Sequence, residues 1–88
     1  MRKFGVIIGI TNERGFLIEV KNTRIARFPN VINRNIYSKD GKLIGIIRDV
    51  IGPVSSPYAT AKILIQLEKA SSYINKPVYV ENGKIKTK

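Results

Sequence analysis

Asp49 is the carboxylate of this 88-residue chain best placed to do chemistry, because it sits beside Arg48 inside the apolar run Leu43 to Ile51. An acid or base there would need a neighbouring group to tune it. The chain has six carboxylates (Glu13, Glu19, Asp40, Asp49, Glu68 and Glu81), and Glu13, Asp40 and Glu81 fall in or beside expected turns. There is no histidine, so the commonest general base and imidazole ligand are missing. There is no cysteine, which excludes disulfides and thiolate metal sites. Ser55 and Ser56 have no histidine to activate them. No P-loop, dinucleotide fingerprint or nucleophile elbow occurs. Asp49 is therefore expected to face outward or to accept backbone hydrogen bonds at the Gly52-Pro53 turn. No catalytic residue, cofactor or metal is assigned.

The chemistry that the residues do offer is recognition. Gly52-Pro53-Val54-Ser55-Ser56-Pro57-Tyr58 follows the apolar run directly. Its prolines fix φ and remove two backbone donors. Each also biases the residue before it, Gly52 or Ser56, away from helix. A stiff, extended segment ending in a tyrosine is expected, and such a segment loses little entropy on docking. Aliphatic residues on both faces of the preceding strand sharpen this. Leu43, Ile47 and Ile51 fall on one face and Ile44, Ile46 and Val50 on the other. One set can fill a core, and part of the other calls for a cover, from this chain or from a partner.

The formal charge is +10, from sixteen basic and six acidic side chains. That balance points to nucleic acid, or to company inside a nucleic-acid particle. No cluster of aromatics with interleaved basic residues marks a base-stacking surface, and Phe4 and Phe16 are expected in the core. Lys84, Lys86 and Lys88 offer non-specific phosphate contact. No apolar run reaches the roughly 18 residues of a membrane span. Met1-Arg2-Lys3 is basic, but the apolar residues 4–10 are too few for a signal sequence.

These residues need a scaffold, and the punctuation is that of one all-β domain. Lys3 to Thr11 alternates, with Phe4, Val6, Ile8 and Ile10 on one face. After a turn at residues 12–15, Phe16, Ile18 and Val20 share a face. Residues 25–29 suggest a further strand. Asn35 to Tyr37 begins a hairpin, Asp40-Gly41 turns it, and residues 42–51 return. Residues 58–67 form another strand, with the small Ala59 and Ala61 on its inner face, as a tightly curved barrel requires. Leu67, Ala70, Ser71 and Ile74 fall at helical spacing, giving a short helix or turn over residues 67–74. Residues 78–80 close the set, Asn82-Gly83 allows a last turn, and residues 81–88 are a basic tail. About six short strands in one domain (residues 1–80) must hide their edges, and a small closed six-stranded β-barrel does so. No internal repeat, low-complexity segment or domain boundary is evident.

The string Gly41-Lys42-Leu43-Ile44-Gly45-Ile46-Ile47-Arg48-Asp49-Val50-Ile51-Gly52-Pro53-Val54-Ser55-Ser56-Pro57-Tyr58 resembles the signature of the GAR/NAF family, whose motif reads G-K-x-I-G-x-V-x-D-[IV]-F-G-P-V-x-x-P-Y. The resemblance implies a six-stranded barrel of the translation-factor (reductase/isomerase) type. It implies a noncatalytic core subunit of H/ACA ribonucleoproteins, which convert chosen uridines of rRNA to pseudouridine under a guide RNA in ribosome biogenesis. The subunit would dock on the pseudouridine synthase catalytic subunit and bias its substrate-gripping loop, aiding substrate loading and product release. Guide and substrate RNA would be met mainly indirectly. It would be a monomer within that hetero-oligomer, with no membrane contact.

Carried onto this sequence, the partner-facing residues are Ile51, Gly52, Pro53, Val54, Ser55, Ser56, Pro57 and Tyr58. Ile51, Val54 and Pro57 would be apolar anchors, Gly52 and Pro53 would set the turn, and Tyr58 would place its hydroxyl at the rim. Ile51 replaces a frequent phenylalanine, and Asn33 stands where glycine is common, a change that left-handed geometry tolerates. Without the glycine-arginine-rich tails of eukaryotic members, the chain resembles an archaeal, cytoplasmic member; a eukaryotic one would be nucleolar. NAF-type assembly factors share the motif but are usually longer. The alternatives are a free-standing basic barrel of ribosomal type that binds RNA directly, and an enzyme.

Overall fold

Alternating apolar residues build the walls, and local breaks in that alternation close them into a barrel. The computed structural model describes residues 1–23, 31–53 and 55–81. β1 spans Arg2–Ile10, β2 Gly15–Val20, β3 Asn35–Tyr37, β4 Leu43–Ile51, β5 Tyr58–Ile63 and β6 Pro77–Val80. Between β5 and β6, a one-turn helix α1 (Leu67–Ala70) runs into a 3₁₀ turn over Ser71–Tyr73. The strands close into an antiparallel barrel in the order β1-β2-β5-β4-β3-β6, the all-β architecture expected from the sequence. Among the described residues no helix is long and apolar enough to cross a membrane. The expected strand at 25–29, the Asn82-Gly83 turn and the basic residues Lys84, Lys86 and Lys88 lie outside the described residues.

Phe4, Ile7, Phe16, Ile18, Ile36, Ile44, Ile47, Val78 and Val80 are completely buried in the interior. Ala61 lies opposite Phe16 and Ala59 opposite Ile18, so small side chains face large ones where β2 and β5 meet. Two expected faces are corrected. In β1, Ile7 is fully buried and Ile8 is 39% exposed, the reverse of strict alternation. In β4, Ile44 and Ile47 are both inside, while Leu43 and Ile51 stay exposed. The cause is a pair of bulges in each strand. β1 shifts register between Lys3 and Gly5 against β6, and between Ile7 and Gly9 against β2. β4 shifts across residues 43–45 against β3, and between Ile47 and Asp49 against β5. Each bulge adds one residue, flips the side-chain alternation, and bends the strand around the barrel.

β5 ends at Ile63, earlier than expected, although Leu64 N still donates to Ile44 O at 3.0 Å. The last registered pair is Ile63 with Gly45, two residues short of the start of β4 at Leu43. The helix then seats through buried Ala70, with Tyr73 and Ile74 against the core, while Leu67 remains 42% exposed.

The bulges also uncover an internal repeat that strand patterning had not indicated. Gly5–Val20, Ile7–Ile18, Gly9–Leu17 and Ile10–Phe16 are opposite pairs in the first half. Gly45–Ile63, Ile47–Ala61, Asp49–Thr60 and Val50–Ala59 repeat that register in the second. Asn75 N donates to Ile7 O (2.7 Å) and Ile7 N to Lys76 O (3.1 Å). Asn33 N donates to Ile47 O (2.7 Å) and Ile47 N to Arg34 O (2.9 Å) in the same way. Both asparagines are left-handed, with φ of 73° and 72°. The barrel therefore has pseudo-twofold symmetry that exchanges β1 with β4, β2 with β5 and β3 with β6. Its sequence trace is Ile32-Asn33-Arg34-Asn35-Ile36-Tyr37 against Ile74-Asn75-Lys76-Pro77-Val78-Tyr79.

Candidate functional site

Ile51 and Tyr58 lie opposite one another at the ends of β4 and β5, so residues 52–57 must reverse the chain. A straight segment cannot do that, and the expected extended conformation is corrected to a bend followed by a turn. Gly52 bends at φ +93°, a region open to glycine even before a proline. Ser56 N then donates to Pro53 O at 3.1 Å. The tyrosine ring comes back over the bend, with Tyr58 Cδ1 3.7 Å from where a Gly52 Cβ would sit.

The expected partner-facing residues differ in exposure. Ile51 is 47% exposed. Gly52, Pro53, Ser55 and Ser56 are exposed, and Tyr58 is half-buried on the outer face of β5. Pro57 is buried, and its carbonyl accepts from Val20 N at 3.2 Å. The apolar anchor expected at Pro57 is thus a buried residue within this chain, not an exposed one. Val54 lies outside the described residues.

The pseudo-symmetry gives this loop a shorter counterpart. Its counterpart joins β1 to β2 through residues 12–14, with Thr11 N donating to Gly15 O at 2.7 Å and Gly15 N to Thr11 Oγ1 at 3.0 Å. Left-handed Arg14 (φ 64°) completes that turn. The second half thus spends six residues, with exposed Pro53 and Ile51 at its tip and base, where the first half uses three.

The two ends of the wall also differ in chemistry. Beside the long loop, the outer row Ile51, Tyr58, Glu19 and Val6 crosses four strands, and Ile8 is exposed nearby. At the symmetry-related end, Arg14, Arg48, Asp49, Thr60 and Lys62 line a polar cleft of about 330 Å³. Asp49 is exposed at the β4 bulge, as the outward alternative expected, and its Oδ1 accepts from Val50 N at 2.9 Å rather than from Gly52. Among the described residues, no group of three His, Cys, Asp or Glu side chains is placed to hold a metal. Since among the described residues Asp49 makes only this local, solvent-exposed bond, Asp49→Ala is expected to change unfolding free energy by about 0.5 kcal/mol or less. Urea unfolding checks this; a loss of several kcal/mol would show that the carboxylate organises the bulge.

Sequence reasoning missed one constellation. Tyr37 and Tyr79 are opposite residues of β3 and β6 and share the outer face. The similar strings at 32–37 and 74–79 mark the two tyrosines as equivalent, but only the closure of β3 on β6 pairs them.

The chain matches no protein-family model and no curated protein.

Proposed function

We propose that this chain is a noncatalytic barrel subunit that docks through its β4–β5 loop on the catalytic subunit of an RNA-guided pseudouridine synthase of H/ACA type. The observation that carries this reading is the asymmetry of the loop. A barrel able to turn in three residues uses six at this one place, and it exposes an isoleucine at 47% there. An exposed aliphatic beside a proline-stiffened turn supplies buried area at low entropic cost when a partner covers it. The residues of this loop are also those that resemble the GAR/NAF signature, which supports a synthase as that partner.

In this reading the subunit supplies no reacting group. It sets the position of the synthase's substrate-gripping loop, and so the rate at which modified rRNA leaves and new substrate enters. The net charge of +10 suits residence in a ribonucleoprotein. The archaeal-like, cytoplasmic setting and a monomeric place within the hetero-oligomeric particle follow from the same resemblance.

The test is pseudouridylation by the assembled particle with and without this chain. The first turnover is expected to keep its rate, while steady-state turnover rises severalfold when the chain is present. Equal steady-state rates would overturn the gating role. Tight RNA binding by the chain alone, with no affinity for the catalytic subunit, would favour the free-standing ribosomal-type barrel instead.

A further inference from the structure

The seam that closes the barrel carries two tyrosines. Tyr37 and Tyr79 form the one registered pair between β3 and β6 among the described residues. Their neighbours Ile36, Val78 and Val80 point inward and are fully buried. Alternation therefore sets both rings outside, where each stays partly exposed. Leu43 lies opposite Tyr37, and Lys3 opposite Tyr79, so one outer row crosses four strands. The pseudo-twofold axis passes between the rings and exchanges Leu43 with Lys3. Tyr37 is held in place: its hydroxyl donates to Glu81 Oε2 at 2.9 Å and accepts from Asn35 Nδ2 at 3.3 Å. Beyond Lys3 the surface opens into a shallow groove of about 400 Å³ lined by Lys3, Lys21, Asn22 and Thr23.

We propose that this seam binds single-stranded RNA, with bases stacked on Tyr37 and Tyr79 and the phosphate backbone running over Lys3 and Lys21. Paired aromatic faces beside a basic groove are the elements that single-strand binding uses. A duplex keeps its base faces stacked and cannot offer them to the rings. The charge of +10 favours a polyanion over an acidic-poor protein surface. Glu81 at the rim repels phosphate but accepts a hydrogen bond from a ribose 2′-hydroxyl, which favours RNA over DNA. The β3–β6 seam lies across the barrel from the β2–β5 pair, and Leu43, where its outer row reaches β4, is at the opposite end of that strand from Ile51 and the β4–β5 loop. RNA on the seam and a protein on the loop are therefore compatible, and either can fail without the other.

The chain has four tyrosines and no tryptophan, so tyrosine emission reports on stacking directly. In a Tyr58→Phe, Tyr73→Phe background only Tyr37 and Tyr79 emit. Titration with a twelve-nucleotide oligouridine is expected to quench that emission, and absence of quenching overturns the proposal without requiring a seam mutant to fold. Tyr79→Leu, which keeps apolar bulk, is expected to weaken oligouridine binding about tenfold or more in fluorescence anisotropy, while Tyr79→Phe retains it. Lys3→Gln is expected to lower the slope of log affinity against log salt by about one. Equal affinity for oligodeoxyuridine overturns the assignment to RNA. Equal weakening by Tyr58→Leu overturns the assignment to the seam.

Discussion

Gly5→Ala is expected to lower the melting temperature by roughly 10–25 °C, while Gly9→Ala shifts it by no more than a few degrees. Both glycines lie on β1, four residues apart in the same strand. A Cβ on Gly5 would stand 2.3 Å from the Glu19 carbonyl oxygen and 3.0 Å from Ile18 Cγ2. The first obstacle is backbone of the neighbouring strand, so no rotamer change relieves it; β1 and β2 must separate. Overpacking typically costs ~1–3 kcal/mol, and a backbone obstacle places this case at the upper end. A chain of this size has a total stability of about 4–13 kcal/mol, so the loss is a large share. Gly45, the symmetry mate, meets the Lys62 carbonyl at 2.6 Å and should behave alike. Around Gly9 nothing lies within 4 Å, and alanine there also restricts the unfolded chain. Thermal unfolding followed by circular dichroism decides the matter. If Gly5→Ala and Gly9→Ala melt together, the close strand approach at the bulge does not govern stability.

The same bulges explain which parts of the fold were legible. The β3–β4 hairpin was readable because its signals are local. Gly41 takes φ +86° after Asp40, Ser38 N donates to Lys42 O at 2.9 Å, and Lys42 N donates to Ser38 Oγ at 3.2 Å. The inner faces of β2 and β5 were readable because neither strand carries a bulge against the other. The faces of β1 and β4 were not. Nothing in Ile7-Ile8 or Ile46-Ile47 says which isoleucine turns inward; the extra residue is set by pairing with strands distant in sequence. The glycines were the available clue, since Phe4-Gly5-Val6-Ile7 and Ile44-Gly45-Ile46-Ile47 share one pattern. Strand closure between β3 and β6 is likewise a nonlocal event, and so the meeting of Tyr37 and Tyr79 had no local sign.

For the loop, composition gave its stiffness and exposure but not its shape. Two prolines read as an extended segment when taken alone. The pairing of Ile51 with Tyr58 turns that segment into a reversal, and Gly52 absorbs the bend. The burial of Pro57 was equally hidden, because the donor to its carbonyl is Val20, on a strand far away in sequence. Once placed, the residues separate into a buried foundation and an exposed rim, and that separation makes the docking reading open to experiment.

If the chain docks as proposed, replacing residues 52–57 by the symmetry-related turn Asn12-Glu13-Arg14 is expected to leave a folded barrel without affinity for the synthase subunit. The native chain joins the equivalent strand ends with that turn, and the graft keeps its length while Ile51 in place of Thr11 gives up the hydroxyl that accepts from Gly15 N. It removes the Val20 N–Pro57 O bond and the buried proline, a cost of about 1–2 kcal/mol. Ile51→Asp refines the result at a single position. Ile51 is 47% exposed, so aspartate there can keep its charge in water while the barrel stays folded, yet it must lose that water when a partner covers it. A central anchor is worth about 2 kcal/mol or more, so binding to the catalytic subunit is expected to fall roughly 30-fold or further. Pro57→Asp should instead unfold the chain, because it places a charge in a buried site. Calorimetric titration against the catalytic subunit, with circular dichroism on each variant, separates these outcomes. Full affinity in a folded graft would leave the long loop without a docking role and move the search for the partner surface to the opposite, polar end of the wall. A graft that fails to fold while Ile51→Asp keeps both fold and affinity would show that the extra residues serve the barrel itself.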